Sequence, residues 1–346
     1  MKNIYIYPTN NFSNKYSTLQ EEAVKSAGCQ LASSFKQFFK IDAFILNWFE
    51  QLGSSELLEF IKKMIKILLF VVFNKSVYVV MHNKTVHTQF NGKKKRLSFI
   101  LNDILFLISK KIIILCDESK NVLREQYKNK SKKFLDKTFK IPHPNYISAY
   151  GPCPTRSTKK TDKVSLLFVG LVKKYKNIEL LIDCMNELQD KNVHLTIAGS
   201  CQNAQYETEL KARIKNKNVV CDFRFVPDAE ICQLMQNSDL IVLPYDISSS
   251  LNSGSVFLAF SNKKTVLCPL IGSLKEYKDR SFFYTYEYAS EDEHKENLME
   301  QIMLVLDDAK RDPRVFEKKG LVAYHQVEEN NSLDFIAGRY KELLEL

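Results

Sequence analysis

Lys173, Lys174 and Lys176 stand directly after the apolar run LLFVG (residues 166–170) and just before a helix-patterned stretch that begins at Ile178. Ammonium groups in a turn between a buried strand and a helix suit the holding of an anion, and the free amides at the helix start add partial positive charge. A solvated basic loop has the same look, so a second feature is needed. Residues 240–269, LIVLPYDISSSLNSGSVFLAFSNKKTVLCP, read as strand, polar loop, helix, strand. The loop sets Asn252, Ser253, Gly254 and Ser255 immediately before the helix. Small residues let a backbone approach a phosphate, and serine hydroxyls add donors. One loop offering lysines and another offering amides would clamp a diphosphate from two sides. No Asp-x-Asp pair sits in a suitable loop, so the lysines and amides are expected to stand in for a divalent ion.

The first half carries a second set of candidates, each after an apolar run. Asn11, Asn14 and Tyr16 follow NIYIYP; Asn47, Trp48 and Glu50 follow IDAFIL; His82, Asn83 and His87 follow SVYVVM; Asp117 and Glu118 follow IIILC; His143 lies in IPHPNY. In parallel sheets the carboxyl ends of the strands face the ligand crevice. His82, Glu50, Asp117 and Glu118 are the candidates for a general base. Asn14, Tyr16, Trp48, His87 and His143 are candidates for holding a second substrate. A lone tryptophan is more often core than site. His194, His294 and His325 are read as structural or surface residues.

The elements that must position these groups alternate along all 346 residues. Apolar spacing predicts helices over 18–34, 57–70, 97–109 and 118–127, then over 178–188, 206–214, 229–236, 255–260, 293–308 and 332–346. Strand-like runs lie between them, which implies parallel sheets built from right-handed βαβ units. The stretch 142–163, rich in proline and polar residues, reads as a linker. The expected domains are 1–158, 159–328 and a terminal helix 329–346 that could cross back to the first domain. Residues 1–158 hold 25 Lys+Arg against 11 Asp+Glu, and the remainder holds 25 against 29. A basic half beside a mildly acidic one suggests that one domain faces something anionic. No nucleic-acid module is present, and no G-x-G-x-x-G follows a strand. The eight cysteines are scattered without a C-x-x-C pair, which suits a reducing compartment. No signal peptide opens the chain, and Leu57 to Phe73 is broken by Lys62, Lys63 and Lys66, so the expected location is cytoplasmic. These lysines flank an apolar helix face, and with the stretch 93–111 they suit peripheral contact with an anionic inner leaflet.

The second half resembles the nucleotide-binding domain of GT-B glycosyltransferases, in the broad group of glycosyltransferase family 4. FVGLVKKYKNIELLI, HLTIAGS, FVPDAEICQLMQNSDLIVLPY and SGSVFLAFSNKKTVLCPLIGSLKEY carry the resemblance, in order, across about residues 164–280. Ser250 and Leu258 stand where many members have two glutamates. A branch of bacterial exopolysaccharide and capsule enzymes is more similar: it has S-G-S in this loop, N-x-Y after strand one, an H-N…H loop and a P-H-x-x-Y…Y linker. The resemblance implies an α/β GT-B fold, two Rossmann-like doubly wound parallel-sheet domains facing across a cleft. It implies that Gly170, Lys173, Lys176, Tyr245, Asn252, Ser253, Gly254 and Ser255 hold a nucleotide-sugar donor, with Phe225 and Val226 near its base. The first domain would bind a saccharide or lipid-linked acceptor, with His82, Lys176 and Glu50 in catalytic roles and no cofactor or metal. Inversion would need a side-chain base; retention could use the donor phosphate. A nucleotide-sugar epimerase and a basic nucleic-acid- or membrane-surface-binding protein are the alternatives.

Overall fold

The structure, a computed structural model, describes residues 1–9, 14–53, 55–84, 92–147, 149–151, 163–188 and 192–346. Two compact units divide the chain: Met1–Pro144 with Ser248–Asn252 and Asn331–Leu346, and Asn145–Ile247 with Ser253–Asn330. The division falls at Pro144, near the start of the stretch 142–163, because Asn145 and Tyr146 bond to Val327 and Ser261 of the second unit.

The first unit runs β1 (Asn3–Tyr7), α1 (Lys15–Ser26), β2 (Gln30–Leu31), β3 (Ala43–Asn47), α2 (Glu56–Val72), β4 (Ser76–Met81), α3 (Lys93–Ile108), β5 (Lys111–Ile114), α4 (Glu118–Tyr127), α5 (Ser131–Leu135) and β6 (Thr138–Lys140). Its six strands are parallel in the order β2-β1-β3-β4-β5-β6. All five residues of β3 are buried, as expected of a strand covered on both faces. Ile67 and Phe70 of α2 and Leu101, Leu105 and Phe106 of α3 pack on one face. Tyr16, Ala23 and Val24 of α1 pack on the other, together with Ile336, Ala337 and Tyr340 near the carboxyl terminus.

The second unit runs β7 (Val164–Val169), α6 (Ile178–Glu187), β8 (Val193–Ala198), α7 (Ala204–Arg213), β9 (Val219–Asp222), α8 (Asp228–Asn237), β10 (Leu240–Val242), α9 (Gly254–Ser261), β11 (Thr265–Pro269), β12 (Tyr284–Tyr286), α10 (Glu291–Arg311) and α11 (Val315–Asn330). Its strands are also all parallel, in the order β12-β11-β10-β7-β8-β9. The last helix, α12 (Leu333–Leu343), belongs to the first unit and lies against α1. In the first sheet the chain starts one strand from the edge, adds β2 outside it and then winds to the other side; in the second it starts at the centre and winds outward on both sides. The crossover reverses between β1 and β3 in one sheet and between β7 and β10 in the other, where ligands bind in such folds.

Several elements differ from the sequence reading. The first helix spans Lys15–Ser26, since Asn14 caps it early and the chain turns at Ala27–Gly28 into β2. The strand β12 and the helix α11 were not foreseen. Three strand residues are too few to show alternation, and Gly320 interrupts the α11 pattern. That glycine is there for contact: a Cβ on it would stand 2.0 Å from the carbonyl oxygen of Lys263. Lys63 does not flank the exposed face of α2 but turns inward, its Nζ donating to the Gln51 carbonyl. Cys29, Cys116, Cys184 and Cys268 are buried and not disulfide-bonded, whereas Cys232 is disulfide-bonded, a departure from the reading of eight scattered thiols.

Candidate functional site

In the second unit the loops after β7 and β10 lie side by side at the reversal point. The Asp246 amide donates to the Tyr175 carbonyl at 3.1 Å. Gly170 ends β7 with φ +129°, and a Cβ there would stand 3.7 Å from Lys176 Nζ and 3.8 Å from Ser255 Oγ. The lysine and the serine therefore converge on the space that glycine leaves open. Gly199 supports this from the next strand: a Cβ on it would overlap the Gly170 carbonyl at 2.0 Å.

Lys176 is buried, and its Nζ lies over the rings of Tyr245 at 5.2 Å, Phe168 at 5.5 Å and Tyr175 at 6.0 Å. Among the described residues it has no hydrogen-bond or carboxylate partner. A buried ammonium faced only by π-systems is under-compensated and is a ready receptor for an anion. Lys173 is half-buried; burial pulls its pKa down, and the Lys176 charge pulls in the same direction. Lys174 instead faces outward and pairs with Glu209 at 3.5 Å. The α9 start is held from below. Ser253 Oγ donates to Tyr245 Oη at 3.2 Å, and the Tyr245 carbonyl accepts from Tyr288 Oη at 3.1 Å. Burial pushes the Tyr245 phenol up to about 12, so it stays protonated, while its bonds to Ser253 and Ser255 act in the opposite sense. Ser253 makes no side-chain cap bond, and α9 has no acidic residue in its first turn, which leaves its first amides open to an outside acceptor. Phe225 is 73% exposed, whereas its neighbour Val226 is buried.

Asn252 departs from its expected place in that loop. Residues 248–252 group with the first unit, where Leu251 joins the core. Asn252 Nδ2 donates to the His82 carbonyl at 3.3 Å, and its buried Oδ1 has no hydrogen-bond partner.

In the first unit four rings assemble at the carboxyl ends of β1, β3 and β4. Trp48 stacks on His82 with centroids 4.0 Å apart and planes 18° apart. Tyr16 stands edge-on to His82 at 5.0 Å and to Trp48 at 6.0 Å, and tilts against His143 at 5.0 Å. Asn14 serves locally as the cap of α1, accepting from the Tyr16 amide at 3.1 Å. Trp48 has φ +49°, a left-handed conformation unusual for a bulky side chain and often kept for function. His143 is buried; its Nδ1 donates to the Pro144 carbonyl at 2.7 Å, and burial lowers its pKa to about 4. It therefore packs as a neutral ring behind Tyr16. His87 lies outside the described residues.

Glu50 and His82 line the same recess, with Asn83, Lys84, Asn102 and Gln126 around it. Burial raises the Glu50 carboxyl to about 6; a backbone hydrogen bond and the Lys63 ammonium oppose the rise. Asp117 is a poorer base. Burial would raise its pKa, but Lys120 at 2.7 Å and Lys140 at 2.6 Å bring it below the ordinary carboxylate value. The residues missed by sequence reasoning are Gln20 and Tyr340, which join Asn47, named in the sequence only as a polar residue after IDAFIL. His82 Nε2 meets Asn47 Oδ1 at 2.9 Å, Asn47 Nδ2 donates to Gln20 Oε1 at 2.7 Å, and Gln20 Nε2 donates to Tyr340 Oη at 2.6 Å. Nothing local to Gln20 or Tyr340 in the sequence pointed to Asn47.

Residues 154–317 match the family of glycosyl transferases group 1. A GDP-mannose:glycolipid 4-beta-D-mannosyltransferase of Xanthomonas campestris pv. campestris is 31% identical over 105 residues, covering 30% of this chain and 30% of the relative. The chain thus matches about a third of that relative's length. The fold is shared over the full chain with Anabaena HepE, solved with UDP and glucose: TM-score 0.72, 11% identity, covering 100% of this chain and 99% of that one. It is shared likewise with sucrose-phosphate synthase of Thermosynechococcus elongatus, at TM-score 0.75 and 13% identity, covering 100% and 98%. The fold is accordingly the GT-B fold, and residues 154–317 are similar to the glycosyl transferases group 1 family.

Proposed function

We propose that this chain transfers a sugar from a nucleoside diphosphate donor to a lipid-linked saccharide acceptor in the synthesis of a capsule or exopolysaccharide. The observation that carries the reading is Lys176: a buried ammonium with no anionic partner among the described residues, converging with Ser255 on the opening beside Gly170. Breaking the bond between the anomeric carbon and the diphosphate oxygen leaves negative charge on the departing group. Lys176, Lys173 and the amides at the start of α9 are placed to neutralise it, and fixed donors do so without reorganising. No resident metal or cofactor enters the proposal, so turnover is expected to persist in EDTA.

The acceptor hydroxyl would bind in the first unit. The unpartnered Asn252 Oδ1 supports this, since a buried acceptor calls for a donor. So does the stacked pair of Trp48 and His82, a surface suited to a sugar ring. In an inverting reaction the hydroxyl proton passes to His82; in a retaining one it passes to the donor phosphate. Glu50, half-protonated near pH 6, is the second proton-handling group of the recess. The mannosyltransferase relative makes GDP-mannose the first donor to test.

Lys176→Ala is expected to lower kcat/KM by about 100- to 1,000-fold and to abolish thermal stabilisation by the donor. Near-normal kcat/KM in that variant would end the assignment. A nucleotide-sugar epimerase would need the same diphosphate site, and turnover of donor to its epimer with no acceptor present would favour it.

A further inference from the structure

The outer face of α2 is apolar. Leu57, Leu58, Ile61, Ile65, Leu68 and Val72 are each 46–64% exposed, and at 3.6 residues per turn they fall in one arc of about 100°. The opposite face, with Lys63, Ile67 and Phe70, supplies the core. Helices of soluble domains normally pair one apolar face with one polar face; here both are apolar. The stripe continues past the helix end into Phe73, whose ring meets that of Phe39 at 5.2 Å, and Phe39 is 75% exposed. Its border is cationic. Lys62 is exposed at one edge, Lys36 and Lys40 are exposed on the turn that carries Phe39, and Lys66 lies over the Phe35 ring at 4.9 Å. The acidic residues of the helix, Glu56 and Glu59, sit only in its first turn, and Glu59 is held by the Gly53 amide.

We propose that the outer face of α2, with Phe73 and Phe39, docks flat on an anionic lipid bilayer. Leucine and isoleucine side chains would enter the acyl boundary while lysine stems carry their ammonium groups to the phosphate level. No helix among the described residues is long and apolar enough to cross a membrane, so this element lies on the surface rather than spanning it. Charge selects the occupant. A second copy seated symmetrically on the same stripe would bring the same lysines together, an unfavourable contact, whereas anionic headgroups complement them. The inference rests on the first unit alone and stands apart from the donor-site reading.

The test is co-sedimentation of the full chain with sucrose-loaded vesicles of phosphatidylcholine alone and of phosphatidylcholine mixed equally with phosphatidylglycerol. The wild-type chain is expected to pellet with the anionic vesicles and to be released by added salt. A triple variant, Ile61→Ser, Ile65→Ser and Leu68→Ser, is expected to bind about tenfold or more weakly. Its circular-dichroism melt should match wild type, since the side chains are exposed. Lys62→Glu should weaken binding to the anionic vesicles only. Wild-type protein left in the supernatant with both vesicles would overturn the proposal, as would equal pelleting of the triple variant. A wild-type dimer in light scattering that the triple variant makes monomeric, without vesicle binding, would assign the face to a second copy and overturn it too.

Discussion

Asn47 decides the state of His82. Its Nδ2 is spent on the Tyr7 carbonyl at 3.0 Å and on Gln20, so Oδ1 faces the imidazole and Nε2 must carry a proton. A fixed tautomer is what orients a proton-handling histidine. Asn47→Leu is expected to lower kcat about tenfold or more with donor KM nearly unchanged; an equal loss in both would make Asn47 a purely structural residue. Glu50 has a different signature. Its carboxyl is raised to about 6 by burial, so the folded chain binds the extra proton. Stability therefore falls as pH rises from about 4.5 to 6, and the burial cost is complete above that. Glu50→Gln should stabilise the protein at pH 7.5 by about 1–2 kcal/mol, and the gain should vanish at pH 4.5; a urea titration at both values checks it. The residue types of both sites were legible in the sequence, because a lysine turn after Gly170 and an S-G-S before a helix are local signals. The chain from His82 to Tyr340 was not, since its bonded members are 27 to 320 positions apart.

At the scale of elements, the proposed anion site is the product of two loops held at one sheet reversal. Gly199 lets β8 pass close to Gly170, while its amide N–H donates to the Asp222 carbonyl at 2.9 Å. Gly199→Ala forces a Cβ against the Gly170 carbonyl and adds a side chain at φ +139°. It should cost about 2 kcal/mol or more in urea unfolding and weaken donor binding, although Gly199 itself touches no ligand. A fully stable variant with normal donor affinity would show that the two strand ends can part freely. In the other unit α12 takes part in the His82 network through Tyr340, whose phenol is buried. Helices with clean periodicity, such as α4 and α6, are readable to within a residue. Those shaped by contact are not: α11 tolerates Gly320 only because Lys263 lies against it.

For the whole molecule, acid stability follows from two buried imidazoles, one in each unit. His143 and His294 are both lowered to about 4, in each case chiefly by burial. His294 stacks on Tyr288 at 3.9 Å and meets Tyr286 Oη at 3.0 Å. Each stays neutral when folded and charges near 6.5 when unfolded. Stability from these groups is thus full above about pH 6.5 and is lost as pH falls toward 4. Denaturation midpoints should drop between pH 7 and pH 5, and His294→Phe should flatten that slope; an unchanged slope would remove His294 from the account. The charge asymmetry between the halves also belongs to this scale, because neither sheet shows it alone. The sequence by itself determined the strand–helix alternation, the parallel class and the composition of the two loops proposed to hold the donor, since periodicity and turn chemistry act over a few residues. Only the tertiary structure decided that Lys63 points inward, that Asn252 joins His82, that α12 lies on α1 and that α2 shows an apolar face outward. Those outcomes depend on what packs against what across the chain, and local spacing carries no record of it.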